Sequence, residues 1–126
     1  MEKALEQAAK GLLVGEVPIG AVLVDNNKSE IIASSHNLIN LKKNVTYHAE
    51  ILTINSACVS TKSKYLSETS LFVTLEPCAM CAAAISEVHI DKIYFGAYDE
   101  QKGSLESIIN IYFKKKYFIP EIYGGI

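Results

Sequence analysis

Ser70-Leu-Phe-Val-Thr-Leu-Glu-Pro-Cys-Ala-Met-Cys-Ala-Ala-Ala-Ile-Ser-Glu-Val-His-Ile-Asp-Lys-Ile-Tyr-Phe-Gly96 is the stretch that decides the fold. Ser70 to Leu75 is a short apolar run rich in residues that suit a pleated surface, and it reads as a strand. Pro77 follows; proline favours the first turn of a helix, where its missing N–H is no loss. The spacing predicts a helix from Ala79 to Val88 and another strand from Asp91 to Gly96. Strand, helix and strand in that order imply a crossover connection and a sheet covered by helices.

The flanking segments extend the same pattern. Ala4, Leu5, Ala8, Ala9, Leu12 and Leu13 recur at three-and-four spacing, so residues 1 to 14 read as an amphipathic helix stopped at Gly15. Ile19 to Val24 is a buried strand closed by the turn residues Asp25-Asn-Asn27, and Glu30 to Asn37 is its hairpin partner. Leu38 to Thr46 holds no period and reads as a loop. Tyr47 to Ser60 reads as a helix, with His48, Ile51, Leu52, Asn55 and Val59 near one face. Ser104 is a candidate N-cap for a helix running to about Tyr112, and Tyr117 to Tyr123 is a fifth strand candidate. The order is α-β-β-α-β-α-β-α-β, with no internal repeat and no linker, which makes 1–126 one α/β domain.

Composition narrows the function classes. Half of the 126 residues are hydrophobic, enough for a real core, and the formal net charge is −2. That excludes holding nucleic acid by bulk positive charge, though not by a local patch. All twelve basic residues are lysine, so charged contacts to phosphate come from ammonium groups and never from a guanidinium fork. Three cysteines leave one unpaired in any disulfide scheme. No run spans a membrane and the N-terminus lacks the form of a signal peptide, so a cytoplasmic location is expected. Cys58, alone in a helical stretch, reads as a buried free thiol.

Two segments carry chemistry. His48-Ala-Glu50 opens the second helix, and Pro77-Cys-Ala-Met-Cys81 opens the third. Cys78 and Cys81 lie three apart on a first helical turn, so both sulfurs can face one point. His48 can add a nitrogen from the neighbouring helix start. That donor set suits zinc, and helix N-termini favour thiolate. A Cys-x-x-Cys alone could also be a redox pair or two buried thiols. A structural zinc needs a fourth protein ligand, for which His36 and His89 are formal candidates; three ligands and an open position fit better. Glu50 then flanks the open position, where a carboxylate can take a proton from water and pass it on.

His48-Ala-Glu50 with Pro77-Cys-Ala-Met-Cys81 resembles the motif of the zinc-dependent cytidine deaminase-like superfamily. Within it the chain resembles the bacterial tRNA adenosine deaminases, through Gly15-Glu-Val-Pro-Ile-Gly-Ala-Val-Leu-Val24, Val73 to Cys81 and Phe95-Gly-Ala-Tyr-Asp99. The resemblance implies a three-layer α-β-α fold with a five-stranded mixed central sheet. It implies hydrolytic conversion of adenosine to inosine at the wobble position of a tRNA anticodon, usually of an arginine tRNA. Carried over by motif, His48, Cys78 and Cys81 hold one Zn2+ per subunit and Glu50 shuttles the proton. Asn37 contacts the flipped nucleotide, Ile19 and Leu75 line its pocket, the Ala49 N–H reads the base edge, and Asp99 lies near the RNA backbone. The implied partners are a tRNA anticodon stem-loop and a second copy in a homodimer. Lys42-Lys43 and Lys114-Lys-Lys116 are candidate phosphate contacts. The resemblance implies a C-terminal helix past Gly124-Gly125, and the 126 residues stop before it. A deaminase of a free base or nucleotide, such as guanine or cytosine, is the alternative enzyme, and a zinc-stabilised binding module the alternative of another class.

Overall fold

The computed structural model describes residues 1–113 and 116–126. The chain runs α1 (Glu2–Leu13), β1 (Gly20–Asp25), β2 (Glu30–His36), α2 (Ala49–Thr61), β3 (Thr69–Leu75), α3 (Ala79–Glu87), β4 (Lys92–Ala97), a 3-10 turn (Ile111–Phe113) and β5 (Glu121–Tyr123). The strands form one mixed sheet in the order β2-β1-β3-β4-β5. β1 is antiparallel to both β2 and β3, whereas β3, β4 and β5 are parallel. A parallel pair needs a crossover, and α3 supplies it between β3 and β4.

Alternation along the strands sorts side chains to two faces. Ala21, Leu23, Leu71, Val73, Ile93 and Phe95 are fully buried and join Ile54 and Ala57 of α2 and Ala82 and Ile85 of α3 in the core. The opposite face meets α1, which packs on β1, β2 and β3. The result is a three-layer α-β-α fold, as the resemblance implied. On the α1 side, Phe72, Tyr94 and Tyr123 are cross-strand partners and stack at 4.6 and 4.8 Å between ring centroids.

Four sequence expectations are corrected. In α1 the buried residues are Ala4, Ala8 and Gly11, while Leu5, Leu12 and Leu13 of the expected stripe are exposed. The helix lies so close to the sheet that a Cβ on Gly20 would fall 2.0 Å from the Ala4 carbonyl oxygen and 2.5 Å from the Ala8 nitrogen. Only small residues fit that approach. No α-helix runs from Ser104 to Tyr112: turns lead into the single 3-10 turn. The amides of Leu105, Glu106 and Ser107 donate to a distant carboxylate, that of Glu76, instead. The fifth strand is confined to Glu121–Tyr123; Pro120, without an N–H, stands just before it. Cys58 is free but only half-buried. Lys114 and Lys115 of the lysine run lie outside the described residues. Among the described residues no helix is long and apolar enough to cross a membrane.

Candidate active site

The C-terminal ends of parallel β3 and β4 meet the start of β1 and the end of β2, which is where α/β sheets build sites. β3 delivers Leu75, Glu76 and Pro77 to the start of α3, whose cap position is Cys78. The cap position of α2 is His48, in extended conformation. Both helices therefore begin at one point, and neither cap residue uses its side chain to cap its own helix. Those side chains face each other instead.

His48 Nδ1 lies 3.8 Å from Cys78 Sγ and 3.5 Å from Cys81 Sγ, and the three donor atoms fall within 4.8 Å of one another. With zinc–sulfur and zinc–nitrogen bonds of about 2.3 and 2.0 Å at tetrahedral angles, a nitrogen–sulfur edge is about 3.5 Å. The observed 3.5 and 3.8 Å lie close to that value, so the donor set fits a tetrahedral metal with one position left over. The other two histidines are elsewhere. His36 Nδ1 is paired with the Asn37 carbonyl at 2.8 Å, and His89 is stacked between Tyr65 and Phe118.

The thiols are electrostatically unequal. The hydrogen bond from Cys81, with help from the Cys81 and Met80 amides and the His48 charge, holds Cys78 down to about 5. That same bond, with burial, raises Cys81. One thiolate is thus ready at neutral pH, and a bound cation would draw off the second proton. Glu50, one residue into α2, is 4% exposed. Burial raises its carboxyl to about 7, with the Cys78 charge adding to the rise. A carboxyl poised there can accept and donate a proton near neutral pH.

A cavity of about 210 Å³ opens beside these groups. Ile19, Asn37, Leu75 and Asp99, all named from the sequence, line it with His48, Glu50 and Cys78. Val17, Ile39, Glu76 and Lys102 line it too and were not singled out. Asn37 is buried, and its Oδ1 accepts the Ala49 N–H at 2.8 Å. The amide that the resemblance assigns to the base edge is therefore engaged by Asn37, which caps α2 in place of His48. Asp99 Oδ1 accepts the amides of Gln101 and Lys102, closing a turn at the cavity rim. A broader apolar surface of Met80, Ile108 and Ile109 adjoins the site, with Phe113 85% exposed beyond it.

Glu76 is the most consequential residue that sequence reading missed. It is 2% exposed, and its carboxylate gathers the amides of Asp99, Leu105, Glu106 and Ser107 and the Ser107 hydroxyl. Burial alone would raise it, but these donors outweigh burial and hold it near 2. The available signal was a carboxylate directly before Pro-Cys in a chain that otherwise turns apolar there.

A family model described as MafB19-like deaminase matches residues 1–121, which defines the class as a deaminase. A tRNA-specific adenosine deaminase from Rickettsia felis is 48% identical over the whole chain and 88% of its own length. One from Bacillus subtilis is 41% identical over the whole chain and 78% of its length. The chain belongs to the tRNA-specific adenosine deaminase family. A solved structure from a study of A-to-I editing by tRNA:A34 deaminases at the wobble position matches with a TM-score of 0.94 at 42% identity, covering 99% of this chain and 95% of that one. A guanine deaminase from Bacillus subtilis matches more distantly, with a TM-score of 0.73 at 26% identity over 90% of this chain and 82% of that one.

Proposed function

We propose that this protein hydrolyses the exocyclic amine of adenosine at the wobble position of a tRNA anticodon, with an arginine tRNA as the natural carrier. The observation that carries the reading is a buried carboxyl, Glu50, beside a His48–Cys78–Cys81 donor set at the mouth of a base-sized cavity. The names of the relatives agree with it. His48, Cys78 and Cys81 would hold one Zn2+ per subunit. When bound, zinc supplies a Lewis acid that makes water a nucleophile at neutral pH. Glu50 carries one proton from the attacking water to the purine ring nitrogen, where it stays, and a second, from the newly added hydroxyl, to the leaving amine. The sum is adenosine and water giving inosine and ammonia.

The rest of the cavity holds the base. Val17, Ile19, Ile39 and Leu75 offer apolar walls to an extruded ring. Asn37 presents its Nδ2, which has no partner among the described residues. Asp99 and Lys102 stand at the rim, where Lys102 meets phosphate as a point charge. Lys42-Lys43 in the neighbouring loop and the Lys114-Lys-Lys116 run extend the same kind of contact in this reading. A cytoplasmic homodimer completes the proposal. The exposed apolar surface of Met80, Ile108, Ile109 and Phe113, next to the site, supports association of two copies.

The test is inosine formation, followed by mass spectrometry, in an arginine-tRNA anticodon stem-loop with adenosine at the wobble position. Free adenine, guanine and cytosine serve as competing substrates. Inosine in the stem-loop that depends on zinc, and is abolished in Glu50→Ala while zinc content and fold persist, supports the proposal. Turnover of guanine or cytosine with none of the stem-loop establishes the free-base reading. Unchanged activity in Glu50→Ala removes the assigned proton carrier. Sedimentation at twice the 13.8 kDa chain mass checks the dimer.

A further inference from the structure

Two loops flank the cavity, and each is tied down by a buried carboxylate that no part of the chemistry uses. On one side Glu16, 3% exposed, accepts the Asn40 N–H at 3.0 Å on Oε1 and the Leu41 N–H at 2.8 Å on Oε2. Asn40 in turn donates from Nδ2 to the Gly15 carbonyl at 2.9 Å. This binds the segment after β2 to the segment before β1, and the cavity wall formed by Val17 and Ile39 sits directly beside the tie. On the other side Glu76 Oε2 accepts the amides of Leu105, Glu106 and Ser107 at 3.1, 2.8 and 3.0 Å. Its Oε1 accepts the Asp99 amide at 3.2 Å and the Ser107 hydroxyl. Asp99 and Lys102, the rim residues, lie on this second loop.

Both carboxylates are engaged by loop donors, backbone amides in each case and the Ser107 hydroxyl at Glu76, and neither is needed for the chemistry described above. Each does fix the backbone that donates, because releasing it would strip a buried carboxylate of its partners and, at Glu76, leave the buried Leu105 amide unpaired. The close packing at Gly103 supports the same conclusion independently. A Cβ there would lie 2.4 Å from Glu76 Cδ and 2.5 Å from the Asp99 carbonyl oxygen. The loop is folded onto the carboxylate so tightly that position 103 admits no side chain.

We infer that Glu16 and Glu76 are a pair of positioning residues that set the two rims of the cavity and thereby the affinity for the RNA substrate. The inference rests on the functional reading above for the identity of that substrate, but the clamps themselves are independent of it. His48, Cys78, Cys81 and Glu50 are carried by α2, α3 and their caps, so the clamps act on binding and spare the chemical step.

The experiment pairs amide hydrogen exchange with steady-state kinetics on zinc-loaded protein. In Glu76→Ala, exchange at Asp99, Leu105, Glu106 and Ser107 rises about tenfold or more while Asn40 and Leu41 keep their protection; Glu16→Ala gives the reverse pattern. Glu76→Gln keeps one acceptor oxygen for the three clustered amides and turns an NH2 towards Asp99, so only the Asp99 amide is released. Gly103→Ala, which leaves the carboxylate in place, loosens the same four amides and covers the case in which Glu76→Ala does not fold. KM for the anticodon stem-loop rises about tenfold in the alanine variants, kcat stays within about threefold of wild type, and zinc stoichiometry is unchanged. Glu76→Gln recovers part of the KM. Unaltered exchange in Glu76→Ala and Glu16→Ala overturns the clamps, and a fall in kcat at constant KM overturns their role in binding. If wild-type protein forms no inosine, the functional reading fails, and the exchange pattern alone still decides whether the two carboxylates hold the loops.

Discussion

Replacing Asn37 with alanine removes the oxygen that caps α2, and its consequences separate stability from activity. Oδ1 accepts the Ala49 N–H at 2.8 Å, and both residues are buried. Ala49 is the first residue of α2, where no intrahelical partner exists for the amide. His48, at the cap position, cannot substitute because its ring faces the two cysteines. Losing a side-chain cap costs about 0.5–2 kcal/mol, and stranding a buried amide about 1–3 kcal/mol. These describe the same lost bond, so the expected loss is about 2 kcal/mol, near 8 °C in Tm for a chain of this size. Asn37→Asp restores an acceptor oxygen at a helix N-terminus, where negative charge is favoured, but removes the Nδ2 donor that faces the cavity. Thermal melts of the zinc-loaded variants and inosine assays should therefore disagree. Alanine is low in both, whereas aspartate recovers most of the Tm and little of the activity. An alanine variant melting within about 2 °C of wild type would refute the capping role. Full activity in Asn37→Asp would show that Nδ2 has no part in binding.

Other outcomes follow from the same geometry. His48→Ala should lower bound zinc, measured by elemental analysis, well below one per chain; full occupancy would remove His48 from the ligand set. Gly20→Ala places a methyl against the backbone of α1, at Ala4 and Ala8. It should cost about 1–3 kcal/mol in a denaturant titration, since neither contact belongs to a flexible side chain. A variant as stable as wild type would show that α1 can lift from the sheet. Glu16 also makes a pH prediction. The Asn40 N–H, against the opposing effect of burial and with help from Leu41, lowers its carboxyl below the ordinary 4.5. A depressed acid contributes stability that is fully present above the unfolded value. That stability is lost as pH falls from about 4.5 through the lower folded value. Glu16→Gln should flatten the acid limb of the stability profile below pH 4.5 and leave the neutral-to-alkaline limb unchanged in shape. An acid limb identical to wild type would mean that Glu16 does not titrate with unfolding.

Local patterns determined a great deal here. The run from Ser70 to Gly96 contained its strand, helix and strand because alternation, a first-turn proline and alanine-rich sequence are properties of a few neighbouring residues. Cys78 and Cys81 were legible as co-ligands because three-residue spacing on a helix is itself a geometry. His48 and Glu50 needed one further step, taking two helix starts about thirty residues apart as one site, a reading the resemblance then supported. What escaped was every feature whose cause lies across the fold. Leu5, Leu12 and Leu13 looked like the buried stripe of α1, but the close approach to Gly20 selects Ala4 and Ala8, and Gly11 packs on His36. Residues 104 to 112 had helical spacing, yet Glu76, about thirty residues away, takes the amides a helix would have used. Nothing local singled out Glu16 or Glu76, and the Ala49 amide was expected to read the base edge; the loops brought other partners to all three. Periodicity and spacing are encoded within one turn or one strand. The partner of a buried polar group is chosen by whichever distant segment the packed chain carries to it, and only the tertiary structure decides that.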